Sequence, residues 1–401
     1  MTPRIRSILV LTCGLGLLGA VADRIVASPA LLQPRDFLEY WAAGRLNAFG
    51  ENPYDAEKLL ELQRRADPSR DEAVMMWNPP WSLALYMPVG LLPPRWAALV
   101  WVAVQLLAAI VAAAMLWHTY GGPVRRRGAA IGIALVFAPI VWTAAFGQAT
   151  GFVVLGLAGF AYFRQFDRPV LAGAFAALTA LKPHLLAVFG VLLVLDAVNR
   201  RGRIALASGA AVLAAGIAIA LFANPNVCSQ YRQAVMHEHS GAIPLHAWVL
   251  PVPSYWLRVF ATLNFGLGFW VQFVPCQAAC LAYGAYRFYR GTQWNWTAEL
   301  PCVVWVSVLA TPYGGWIFDL AVLLVPAIAV AARLRPIALG LFALGQLGIT
   351  AISLSWVYTL PEFFWIAPAI LALCVLGQKT GEAHPLPRLG ADSLQSERMA
   401  R

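Results

Sequence analysis

Charge is scarce in this chain. Of 401 residues only 12% are Asp, Glu, Lys or Arg, against 60% hydrophobic residues, and the mean hydropathy is +0.66. Soluble domains carry roughly 25% charged residues, so a set of soluble domains is excluded and a polytopic membrane protein remains. Cysteine is scarce too. The six (Cys13, Cys228, Cys276, Cys280, Cys302 and Cys374) are scattered, and only Cys276 and Cys280 lie one helical turn apart. With no second pair a zinc site is not expected, and the thiols read as small apolar packing residues. No Gly-x-x-x-x-Gly-Lys phosphate loop and no Asp-x-Asp pair occurs anywhere, which removes the usual grounds for a nucleotide site. Lysine occurs three times, at Lys58, Lys182 and Lys379. Only Lys182, in Thr179-Ala-Leu-Lys-Pro-His-Leu-Leu186, sits among apolar residues, where a charge costs several kcal/mol unless it is paired or faces water.

What is present is arginine in short clusters and apolar segments between them. The net charge of +10 therefore follows the bias of short cytoplasmic loops, and no nucleic-acid partner is expected. The N-terminus, with Arg4 and Arg6 before an apolar run ending Ala-Val-Ala, has the form of a signal peptide, but is read as an uncleaved first helix over 6–22. Residues 23–80 then form a long external loop, which holds ten of the nineteen acids. The segment 81–92, bracketed by proline pairs, is too short to span and is read as interfacial. Helices follow over 95–117, 128–146 and 150–163. The segment 169–198 breaks at Lys182-Pro183, and 204–223 leads to a second external loop at 224–254. Further helices alternate down to a polar tail from Gln378, expected to be disordered. Residues 1–377 thus form one all-α membrane domain of about twelve transmembrane helices, with both ends inside.

In this map the polar interruptions collect on one side. They are the first loop, Gly147-Gln148, Lys182-Pro183-His184, the histidine-rich second loop and Thr311-Pro312-Tyr313. The arginine clusters all fall on the other. Irregular, polar backbone gathered at one face points to a cavity open to that face. Asp36, Glu39, Tyr40 and Ala43 are at helical spacing, so one short amphipathic helix would present Asp36 and Tyr40 together. A capped surface helix has the same pattern. Asp319 is an acid inside an apolar run, a functional signal by default, although it also suits pairing with a nearby base. His237, Glu238, His239 and His246 lack the spacing of a known metal motif.

Asp36-Phe37 followed by Tyr40, small residues and "GENPYD" resembles the first external loop of glycosyltransferase family 87. The likeness continues in "WNPPWSLALYMPVGLLP", "FGQATG", "GAFAALTALKPH" and "ATPYGGWIFDLAVLLVP", covering about residues 35–330 in register. Trp81 and Ala149 depart from the pattern. The resemblance implies a GT-C-type bundle that moves mannose or another hexose or pentose, with inversion, from a polyprenyl-phosphate donor to a glycolipid or lipid-linked glycan. By that resemblance Asp36 is the general base and Lys182 the donor-phosphate ligand. Gln148, His184, Arg45, Tyr40, Asn52, Tyr54, Asn78, Tyr313 and Asp319 are further donor phosphate or sugar contacts, and His237 and His239 are acceptor-loop candidates. No cofactor is expected; a divalent ion is conceivable but not favoured, and no metal ligand set is assigned. The site would lie on the external face of the plasma membrane. Two other readings stay open: a transporter of lipid-linked glycans or small molecules, which would place polar interruptions in both halves at mid-membrane, and a non-catalytic relative that binds polyprenyl phosphate.

Overall fold

The computed structural model describes residues 36–237, 252–263, 268–313, 315–355 and 363–380, with residues 12 and 16. Apart from residues 12 and 16, the first helix expected over 6–22 lies outside the described residues, as do 23–35, residues 238–251 of the second loop with Glu238, His239 and His246, and the tail beyond 380.

The stretch read as an external loop opens with α1, Phe37–Ala48. An amphipathic surface helix was the expectation. Instead α1 is buried on almost every side, Glu39 and Asn47 included, because "FLEYWAAGRLNA" is apolar around most of its circumference and such a helix belongs inside. Helix α2, Ala56–Ala66, is the amphipathic one: it buries Leu59 and Leu62, and the Asp55 side chain caps it by accepting from the Glu57 and Lys58 amides. A short turn at Pro80–Ser82 leads into α3, Leu83–Gly90, eight residues and so about 12 Å long. It is too short to span, as the sequence suggested, and it packs against α1 backbone to backbone. A Cβ on Gly44 would run into the Tyr86 carbonyl, and one on Gly90 into the Arg45 amide.

Helix α4, Pro94–Thr119, starts on proline, which needs no donor partner there. The expected single helix over 128–146 is two, α5 (Arg127–Val136) and α6 (Ala138–Phe146), bent by 54°. Pro139 near the start of α6 removes a donor and clashes with the preceding turn. After α6 the chain turns at Gly147, whose φ of 72° is left-handed and suits glycine, into α7, Thr150–Gln165.

Helix α8, Pro169–Ala176, tightens into a 3₁₀ turn to Leu181. A second 3₁₀ turn, Pro183–Leu186, precedes α9, Ala187–Asp196. Lys182 sits in the gap with φ −136° and ψ 67°. The break at Lys182-Pro183 is as expected from proline, which cannot donate and disfavours a helical residue before it. Then follow α10 (Arg200–Ala223), α11 (Val227–His237), α12 (Pro253–Thr262), α13 (Val274–Arg290), α14 (Trp296–Leu309), a 3₁₀ stretch Ile317–Leu323 into α15 (Leu324–Ala331), α16 (Pro336–Ser355) and α17 (Ile366–Thr380). Gln378 and Lys379 thus belong to a helix rather than the tail.

Among the described residues α4, α10 and α16 are long and apolar enough to cross a membrane, and the bent α5–α6 pair makes a fourth. Long helices do not reach about twelve crossings: other apolar segments are helices of 10–17 residues. Two of them, Pro169–Leu181 and Trp296–Leu309, stop where the polar breaks at Lys182 and Thr311 begin. Four elements nonetheless run between the same two ends of the bundle. At one end Trp101 of α4 donates to Gly147 O, and Thr311, just past α14, donates to His184 O. At the other end Thr119 of α4, Arg164 of α7, Asp196 of α9 and Asn295 before α14 line one cavity. Helix α7 has 16 residues, which separates these ends by about 24 Å.

Candidate active site

Asp36 precedes α1, half-buried, with its amide donating to Phe146 O at 3.0 Å. Gln148 Nε2 donates to Asp36 Oδ2 at 2.8 Å, and Tyr40 Oη donates to Gln148 Oε1 at 2.7 Å. The i, i+4 spacing of Asp36 and Tyr40 therefore closes on one amide from across the bundle. Among the described residues Asp36 Oδ1 has no hydrogen-bond partner. Behind Tyr40 lies an aromatic wall: its ring is 4.6 Å from Tyr86 and 5.5 Å from Trp101.

Lys182 is buried, and its Nζ pairs with Asp319 Oδ1 at 2.5 Å and stands 4.6 Å above the Phe318 ring. Asp319 Oδ2 accepts from the Trp316 amide at 2.9 Å. The two polar pairs are joined through Phe318, which packs 5.6 Å from Phe146, while its carbonyl accepts from Thr143 Oγ1 at 3.4 Å.

Their charges act on Asp36, whose carboxyl is raised above the usual 3.8 by burial; the Gln148 hydrogen bond and the positive charges of Lys182 and Arg70 pull it back down, and Asp319 pushes it up. Glu39, fully inside beside it, is pushed up to about 8 by burial and then by the negative charge of Asp36. The two carboxyls oppose each other's ionisation, and Glu39, the more deeply buried, is held further toward its neutral form.

His184 and Tyr313 lie beside Lys182, edge to face at 5.7 Å, and Tyr313 also meets Phe273 at 5.4 Å. Asn52, Tyr54 and Asn78 form a strut instead. Asn52 Oδ1 accepts from the Tyr54 amide, Tyr54 Oη donates to Asn78 O, and Asn78 Nδ2 donates to Leu181 O, immediately before Lys182. Arg45 is not in the cluster. It lies nine residues along α1 from Asp36, about 13 Å of helix rise, with Nη1 donating to Gly90 O at 3.2 Å. His237 ends α11, and His239 lies outside the described residues. Among the described residues no group of three or more His, Cys, Asp or Glu is placed to hold a metal ion.

Two members of the site gave no signal in the sequence. Arg70, in what reads as a polar loop, reaches Asp36 with its charge, and its buried Nε has no partner among the described residues. Phe318 is one aromatic among many. Alongside, a cavity of about 1230 Å³ is lined by Phe37, Leu38, Leu106, Val141, Ala145 and Leu354, with Arg65 and Arg95 at its rim. Its apolar wall begins one residue from Asp36.

No curated protein and no solved structure matches this chain. The model of one family does match, over residues 77–312. That range takes in Asn78, Gln148, Lys182 and His184 and leaves Asp36 before it and Asp319 after it, so those two acids are tied to the family region by contact with Gln148 and Lys182. With more than half of its length matched, the chain belongs to glycosyltransferase family 87.

Proposed function

We propose that this membrane glycosyltransferase moves a sugar from a polyprenyl-phosphate donor to a hydroxyl of a glycolipid or lipid-linked glycan, inverting the anomeric centre, with Asp36 as general base and Lys182 facing the donor phosphate. The observation that carries this reading is the state of Asp36. One oxygen is fixed by Gln148, the other has no partner among the described residues, and the carboxylate shares its electrostatic surroundings with a buried lysine.

In the transfer step the acceptor O–H gives its proton to Asp36 Oδ1 as its oxygen forms the bond to the anomeric carbon. The bond from that carbon to the phosphate oxygen breaks, and the electron pair leaves with polyprenyl phosphate. The phosphate passes from one negative charge to about two, so a cation held beside it favours the transition state over the bound donor. Lys182 supplies that charge, and Asp319, through its second bond from the Trp316 amide, keeps the ammonium aimed. His184 and Tyr313 flank the sugar. Asn52, Tyr54 and Asn78 act by holding the backbone at Leu181. The apolar cavity next to Phe37 suits the prenyl chain. No cofactor is assigned, and the site faces the outside of the plasma membrane.

The test is transfer by the purified chain in lipid nanodiscs, with radiolabelled polyprenyl-phosphate-mannose, an extract of envelope lipids, and Asp36→Asn in parallel. Label should pass to a new lipid with release of polyprenyl phosphate, and Asp36→Asn should slow this about 10²–10⁴-fold while still binding donor. Full turnover by Asp36→Asn would remove the general-base assignment. A screen of other polyprenyl-phosphate sugars identifies the donor if mannose fails.

A further inference from the structure

At the opposite end of the bundle from Asp36 a second cavity, about 1140 Å³, is lined by arginines from three elements. Arg164 at the end of α7 and Arg287 at the end of α13 share a single carboxylate: Arg164 Nη2 meets Asp196 Oδ2 at 2.9 Å, and Arg287 Nη2 meets Asp196 Oδ1 at 3.2 Å. Asn199 Nδ2 adds a third donor to the same carboxylate, at 2.9 Å. Two guanidiniums against one buried acid leave a fixed excess of positive charge, with the Arg287 plane held 5.4 Å over Trp294 and its Nε unpartnered among the described residues.

Arg200 and Arg201 add two exposed cations at the start of α10, where the helix dipole is also positive. Of these, Arg201 is offset by the exposed Asp167 at 2.8 Å, and Arg200 has no ion pair among the described residues. The rim is apolar, with Val198 76% and Phe288 65% exposed. Oriented guanidiniums are the usual receptor for phosphate oxygens, and a basic pocket between apolar helices suits a headgroup with its chains outside.

We propose that this cavity binds a phosphate group, held by Arg164, Arg287, Arg200 and Arg201, either in the headgroup of an anionic phospholipid or as a free phosphate. It is separate from the Asp36 site, about 24 Å away along α7, and the proposal does not depend on how that site is used.

The test uses the full chain purified in detergent. Native mass spectrometry follows retention of dioleoylphosphatidylglycerol against dioleoylphosphatidylcholine, and equilibrium dialysis follows radiolabelled inorganic phosphate and pyrophosphate. Selective retention of phosphatidylglycerol supports a lipid source, and saturable phosphate or pyrophosphate binding without lipid preference supports a free one. In either case Arg200→Gln/Arg201→Gln, at exposed positions outside the buried pairs, should weaken the favoured probe about tenfold. Asp196→Asn, which removes the competing carboxylate, should tighten it. No preference and no saturable binding would overturn the proposal, as would binding by Arg200→Gln/Arg201→Gln equal to that of the unaltered chain.

Discussion

Asp36 is useful as a base only while it is ionised, and its surroundings oppose that. Burial lifts its carboxyl above the usual range, while Gln148, Lys182 and Arg70 restrain the rise. A general base works on the alkaline side of its pKa. kcat/KM should therefore be full at higher pH and fall as pH drops through a midpoint above 3.8. The Gln148 hydrogen bond favours the charged form, so Gln148→Leu should move that limb to higher pH in the same pH–rate experiment; an unmoved limb would mean another group titrates. Lys182 needs a different design. Removing it strands Asp319, 2% exposed, and an orphaned partner of a buried pair costs about 3–5 kcal/mol. Lys182→Met alone should lower the unfolding temperature. Lys182→Met/Asp319→Asn should regain much of it without regaining donor binding, and a double variant that binds donor normally would reduce the lysine to a structural ion.

At the scale of elements, the site depends on helices that stop early. Pro183 ends the run before α9, and the bend at Pro139 brings α6 down so that Phe146 and Gln148 meet Asp36. The first break was legible because a lysine and a proline interrupt an otherwise apolar run. The bend at Pro139 has a signal too, a proline in the middle of the helix expected over 128–146, but its size of 54° and the neighbours it brings together do not follow from that residue. Burial of α1 was masked: ten acids in 23–80 read as a solvated loop, although "FLEYWAAGRLNA" is itself apolar around most of its circumference, and packing against α3 shows what covers it. That packing has no room for a side chain. Gly44→Ala would drive a methyl into the Tyr86 carbonyl, and overpacking of this kind costs about 1–3 kcal/mol. A lower unfolding temperature with reduced transfer is expected, since Asp36 hangs from the same helix. An unchanged melting curve would show that α1 and α3 sit further apart.

At the scale of the whole molecule, sequence placed polar breaks and arginine clusters at opposite ends, and the four elements joining Gln148, Lys182 and Thr311 to Arg164, Asp196 and Asn295 keep them there. What sequence could not supply is the pairing. Gln148 meets Asp36 across 112 residues and Lys182 meets Asp319 across 137, and no local pattern encodes which polar break faces which. The separation of about 24 Å along α7 is close to the roughly 30 Å of a bilayer's hydrocarbon, so the two ends should sit at opposite membrane surfaces, with the arginines inside. Trp77 and Arg200 are exposed, one beside the Asn78 strut and one at the arginine cavity. In a chain whose own cysteines are replaced, Trp77→Cys should react with an impermeant maleimide added to intact cells, and Arg200→Cys only after the membrane is opened. Labelling of both from outside would place Asp36 and the arginine cavity at one surface and remove the two-ended arrangement, whereas labelling of Trp77→Cys only after the membrane is opened would put the Asp36 site at the inner surface.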